Sequence, residues 1–147
     1  MRPRYEVVIP TIGRPSLGRL LAALLMGDGP APDRILVVDD RRPTKRALAL
    51  PIQGVTVLRG EGRGPAAARN VGLHAARAEW IAFLDDDVVP DMDWRERLAF
   101  DLIQAGPRAG GSQGNVRVPL PSGRAPTDHE RNVHGLESAR WNHRSKA

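Results

Sequence analysis

The chain has 147 residues, a formal charge of +5 and no cysteine: long enough for one domain with a core, but without a disulfide framework, a thiolate metal site or a cysteine nucleophile. Nearly all its basic residues are arginine, scattered rather than striped, and one Tyr with two Phe is a thin supply for base stacking, so no nucleic-acid partner is expected. No apolar run approaches the roughly 18 residues of a membrane span and no signal-peptide core stands at the N-terminus, a cytoplasmic pattern that leaves a membrane-surface or protein partner open.

Tyr5 to Ile9 reads as a first strand, stopped by Pro10 and followed by the turn Thr11-Ile12-Gly13-Arg14. Ser16 is a candidate cap for a helix to about Met26, because Leu17, Leu20, Leu21, Leu24 and Leu25 recur at helical spacing. Arg34 to Val38 is a second strand, and it runs into Asp39 and Asp40. Arg41 to Leu50 is a weak helix or a loop, and Gly54 to Leu58 a third strand. The Gly-rich connection Gly60 to Gly64 leads to Pro65, well suited to open a helix reaching about Ala78. Ile81 to Leu84 has the pattern of a buried parallel strand and ends in Asp85-Asp86-Asp87. Met92 to Ala105 is a further amphipathic helix and Gly114 to Val118 a candidate strand. Pro119 to Thr127 is a loop by composition, and Thr127-Asp128-His129-Glu130 has the form of a capping box for a terminal helix. Strands alternating with helices predict an α/β class with a mostly parallel open sheet.

Side chains alternate along a strand, so Asp85 and Asp87 should point one way and Asp86 the other. Two such carboxylates form a seat for Mg²⁺ or Mn²⁺. Burying the triplet without positive charge nearby would be costly. In a parallel sheet, Thr11 to Arg14, Asp39-Asp40 and the triplet share the carboxyl edge, where ligands of open sheets bind. Arg69-Asn70 lies near a helix start, where N–H groups and the dipole favour an anion. Carboxylates for a metal and arginines for an anion together suggest a metal-bound nucleotide diphosphate.

Four blocks carry a resemblance: Val7-Val8-Ile9-Pro10-Thr11, Ile35-Leu36-Val37-Val38-Asp39-Asp40, Gly64-Pro65-Ala66-Ala67-Ala68-Arg69-Asn70-Val71-Gly72 and Phe83-Leu84-Asp85-Asp86-Asp87. In this order they resemble glycosyltransferase family two. The resemblance implies a GT-A, Rossmann-like fold with helices on both faces of the sheet, and a nucleotide-diphosphosugar donor held through Mg²⁺ or Mn²⁺. It implies that Thr11 and Asp39 contact the nucleobase with Arg69 beside it, that Asp86 or Asp85 holds the ribose, and that Asp87 ligates the metal, with Asp85 a second candidate ligand. Arg14, Asp40 and Asn70 are further donor-site candidates, and the acceptor and catalytic base are not specified. Residues 1–118 would form the donor-binding half and 119–147 a loop and tail. Late carboxylates are confined to Asp128, Glu130 and Glu137, none in a convincing motif. The acceptor half is therefore expected to be missing, and the chain is expected to bind donor but transfer sugar poorly alone.

The alternative is an NAD(P)-binding oxidoreductase domain. Gly62-Arg63-Gly64-Pro65-Ala66-Ala67 fits G-x-G-x-x-A, follows a strand and opens a helix, with Asp85 near the distance of a ribose-binding acid. Against it, the motif should follow the first strand of its unit. A phosphotransfer domain with an Asp nucleophile is weaker still, since Lys45 and Lys146 are both far from the acids.

Overall fold

The computed structural model describes residues 2–42, 46–50, 52–106, 108–117, 120, 122–128 and 131. The order is β1 (Tyr5–Thr11), α1 (Ser16–Met26), β2 (Arg34–Asp39), β3 (Val55–Arg59), α2 (Pro65–Ala75), β4 (Trp80–Phe83) and α3 (Trp94–Gln104). The four strands form one sheet in the order β3-β2-β1-β4, every pair parallel. The α/β class is as the alternation of apolar runs and helices predicted.

The pleat sorts the core into two layers. Tyr5, Val7 and Ile9 of β1, with Ile35 and Val37 of β2, pack against the α1 leucines and Leu102 of α3. Val8, Leu36 and Val38 face the other way, onto Ala68 and Val71 of α2. Helices therefore cover both faces. The α2 layer is tight at one point: a Cβ built on Gly72 would lie 2.3 Å from Val8 Cγ1. Only a glycine lets α2 come this close to the central strand.

Several boundaries differ from expectation. Pro10 does not stop β1, which continues to Thr11 in register with Asp39 of β2. The even residues of β1 present their backbone groups to β4, since Leu84 N donates to Val8 O. That strand ends at Phe83, so Pro10 stands where no ladder donor is needed. Ser16 is the first helical residue rather than the cap; Pro15 holds the cap position without a side-chain hydrogen bond. Helix α2 stops at Ala75, whose carbonyl accepts from Arg34 Nη2 at 2.8 Å. Strand β4 is at the sheet edge and only half-buried, with Phe83 exposed, where full burial was expected. Residues 114–117 form no strand, while 46–50 are a loop, one of the two readings open for that stretch.

The chain divides into two compact units, Met1–Ala109 and Gly110–Ala147. In the second, Asp128 and Arg131 are helical; the rest of the expected terminal helix lies outside the described residues. Among the described residues no helix is long and apolar enough to cross a membrane.

Candidate functional site

Because all four strands are parallel, β1, β2 and β4 end at the same edge, and their polar ends meet there. Thr11 terminates β1 with its side chain buried, and its Oγ1 donates to Asp86 Oδ2 at 2.6 Å while accepting from Gly13 N at 2.9 Å. Asp86 is the buried member of the triplet, whereas the Asp85 and Asp87 side chains remain 57% and 56% exposed. Exposure thus alternates along the triplet, although Asp86 and Asp87 lie in a turn beyond the strand and Arg14 reaches both of them. Positive charge compensates the acids: Arg14 Nη1 lies 2.9 Å from Asp87 Oδ2 and 3.4 Å from Asp86 Oδ1. Arg69 of α2 pairs with Asp85.

Thr11, Arg14, Asp40, Arg69 and the triplet line one cleft of about 330 Å³. Gly64 and Pro65, at the start of α2, complete its wall. Arg69 is the fifth residue of α2, beyond the first turn, so its guanidinium rather than its amide reaches the cleft. Asn70 is exposed on α2 and does not line the cleft.

The two acids after β2 have separate tasks. Asp40 spans the Gly-rich connection, its Oδ1 accepting from Gly62 N and its Oδ2 from Gly64 N, both at 2.7 Å. One acceptor position on each oxygen is left over. Asp39 is buried and fully engaged. Its Oδ1 accepts from Arg41 N at 3.2 Å and Arg41 Nε at 2.8 Å, and its Oδ2 from Arg41 Nη2 at 2.8 Å and Arg59 Nη1 at 3.0 Å. Four donors fill the roughly four lone-pair sites of a carboxylate. The Arg41 hydrogen bonds, against the opposing effect of burial, hold the Asp39 carboxyl below the usual carboxylate range. Asp39 does not line the cleft.

Sequence reasoning missed Arg41 and Arg59. The register does contain the second: Asp39 and Arg59 are direct partners across β2 and β3. It also missed the buried Glu6 of β1, held by Arg34 of β2 at 2.9 Å near the opposite ends of these strands.

Residues 6–142 match the family described as Glycosyl transferase family 2. The chain belongs to glycosyltransferase family 2. It is 37% identical over 102 residues to a pre-mycofactocin glycosyltransferase of Mycobacterium tuberculosis, a match covering 63% of this chain and 19% of that protein. Staphylococcus aureus TarS, residues 1–349, superposes with a TM-score of 0.54 at 21% identity, covering 76% of this chain and 39% of that segment. The same TarS segment in complex with UDP-GlcNAc superposes with a TM-score of 0.53 at 23% identity, covering 69% of this chain and 31% of that one. The sheet and its helices are those of a GT-A glycosyltransferase, and the chain spans well under half the length of the proteins it matches.

The oxidoreductase alternative gains nothing from this geometry. The amides of Gly62 and Gly64 are taken by Asp40, so they are not open to a pyrophosphate. Their loop also follows the edge strand β3, two strands from β1.

Proposed function

We propose that this chain is the nucleotide-sugar-binding part of a family 2 glycosyltransferase, taking a nucleotide-diphosphosugar donor whose sugar passes to an acceptor. The observation that carries the reading is the meeting of Thr11, Arg14, Asp40, Arg69 and the triplet around a single cleft. The complex of a GT-A neighbour with UDP-GlcNAc supports a donor of this chemical class.

The residues present fit a divalent cation. Asp85 and Asp87 offer exposed carboxylate oxygens on the cleft wall. Mg²⁺ and ions like it are commonly held by one or two carboxylates, with substrate phosphates and water completing the shell. Among the described residues no three potential ligands stand together, so an ion held by Asp85 and Asp87 would need the donor and water to complete its shell. When bound, such an ion neutralises charge on the departing nucleoside diphosphate.

The rest falls to the chain. Arg14 and Arg69 leave their carboxylates to meet phosphate oxygens, for which a guanidinium fork is well matched. Asp86, locked by Thr11, keeps the triplet in place. Asp40 takes the nucleoside-facing role that the resemblance gave to Asp39, because it lines the cleft and has acceptor positions to spare. The carboxylates lining the cleft all have these duties, so the base that activates the acceptor is assigned to none of them.

Thermal unfolding of the chain with UDP, GDP, dTDP and NAD, each with and without Mn²⁺, tests the reading. Ligand at about a hundred times its dissociation constant adds roughly 2.7 kcal/mol. A Mn²⁺-dependent rise in Tm with a nucleoside diphosphate is expected. A metal-independent rise with NAD alone would overturn it.

A further inference from the structure

Next to the carboxylate cleft lies a second hollow of about 460 Å³, lined by Ile12, Asp40, Arg41, Arg42, Gly62 and Gly64. Ile12, Asp40 and Gly64 border both, so the two are continuous along the carboxyl edge of the sheet. A donor whose diphosphate lies among Arg14, Arg69 and the triplet has room for its nucleoside across this shared border.

Arg41 is held unusually well for a residue that follows a strand. Its Nε and Nη2 bind the two oxygens of Asp39 in a fork, each at 2.8 Å, and Nη2 also donates to Arg46 O at 3.0 Å. Arg59 grips the same carboxylate from β3. The stem of Arg41 lies over Gly13, where a built Cβ would stand 3.1 Å from Arg41 Cδ. Gly13 has φ +83°, a conformation suited to glycine, and its bare backbone leaves the place that Arg41 fills. A buried acid with every acceptor position used cannot read a ligand. It can fix the plane of the guanidinium that does.

The geometry points to Arg41 as the residue that receives the donor's nucleobase: its guanidinium, held flat by Asp39, forms a wall for the planar ring in the second hollow. This inference rests on the donor-binding reading of the cleft. Guanidinium planes stack on bases, and their N–H groups suit base carbonyls. The exposed side chain of Ile12 supplies apolar surface at the same border. Arg41 is on this account a specificity-determining residue, acting on the base and not on the diphosphate.

The test is calorimetric titration of the chain with UDP, GDP and inorganic pyrophosphate in the presence of Mn²⁺, for the wild type and for Arg41→Lys. Lysine keeps the charge and loses the plane. The wild type is expected to bind at least one nucleoside diphosphate more tightly than pyrophosphate. Arg41→Lys is expected to weaken that nucleoside diphosphate about tenfold, the scale of one base stack, and to leave pyrophosphate unchanged, which also reports an intact cleft. Asp39→Asn, which loosens the fork without shortening a side chain, should shift the balance in the same direction. Equal loss for nucleotide and pyrophosphate, or no loss for either, would overturn the role of Arg41 while leaving the diphosphate cleft standing. Wild type that binds pyrophosphate and both nucleotides equally would do the same. Wild type that binds none of the three would remove the donor reading itself, and the inference with it.

Discussion

Thr11 and Asp86 are 75 positions apart in sequence and share a buried hydrogen bond of 2.6 Å. The bond ties the end of β1 to the acids beyond β4 and decides which of the three carboxylates is buried. Thr11→Val removes the donor for Asp86 Oδ2 and the acceptor for Gly13 N at once. A loss of about 1–3 kcal/mol in urea unfolding is expected, with Thr11→Ser retaining most of the stability. Valine as stable as threonine would show that the bond does not hold the triplet.

Asp39 provides a pH signature. Its folded carboxyl titrates below the unfolded value of about 3.9, because Arg41 and Arg59 favour the charged form. A depressed folded value means stability present above about pH 4 and lost as pH falls through the folded value. Asp39→Asn should therefore be less stable than wild type at pH 7 and should show a shallower decline in acid. An unchanged acid limb in urea unfolding from pH 6 to pH 2 would count against the clamp.

Gly72 sets the distance between α2 and β1. Gly72→Ala places a methyl group against Val8, and overpacking of this kind costs about 1–3 kcal/mol. Because α2 carries Arg69 to the cleft, the same substitution should weaken donor binding beyond what lost stability explains. Thermal unfolding with and without nucleotide separates the two effects.

Asp87 and Asp86 should respond differently to loss of charge. Asp87→Asn leaves the fold nearly untouched, since the side chain is exposed, and should abolish the Mn²⁺-dependent part of nucleotide binding. Asp86→Asn should instead lower stability, because it disturbs a buried partner of Thr11. Reversed effects in paired melting and binding curves would exchange the two roles.

Much of this was legible in the sequence. Parallel strands ending in Thr11, Asp39-Asp40 and the triplet had to bring those groups to one edge, while the burial of Asp86 came from its hydrogen bond to Thr11 in the turn beyond the strand. What was not legible depended on side-chain pairing. Asp39 and Asp40 look interchangeable as letters, yet one is sealed by two arginines and the other braces a glycine loop. Asn70 sits next to Arg69 in sequence but a helical step turns it to solvent. Ile81 to Leu84 is apolar throughout, the pattern of a buried strand, yet β4 is a half-buried edge strand; composition says what a strand can bury, not whether a neighbour lies beside it.

The central claim is that the cleft holds a metal-bound nucleoside diphosphate, and paramagnetic broadening of the backbone amide NMR spectrum by Mn²⁺ tests it most directly. With UDP or GDP present, substoichiometric Mn²⁺ should broaden the amides of Asp85, Asp86 and Asp87 first and those of Thr11 and Gly64 next, and Asp87→Asn should remove the effect. Broadening centred instead on Asp91 and Asp93, or a pattern indifferent to the nucleotide, would contradict the account.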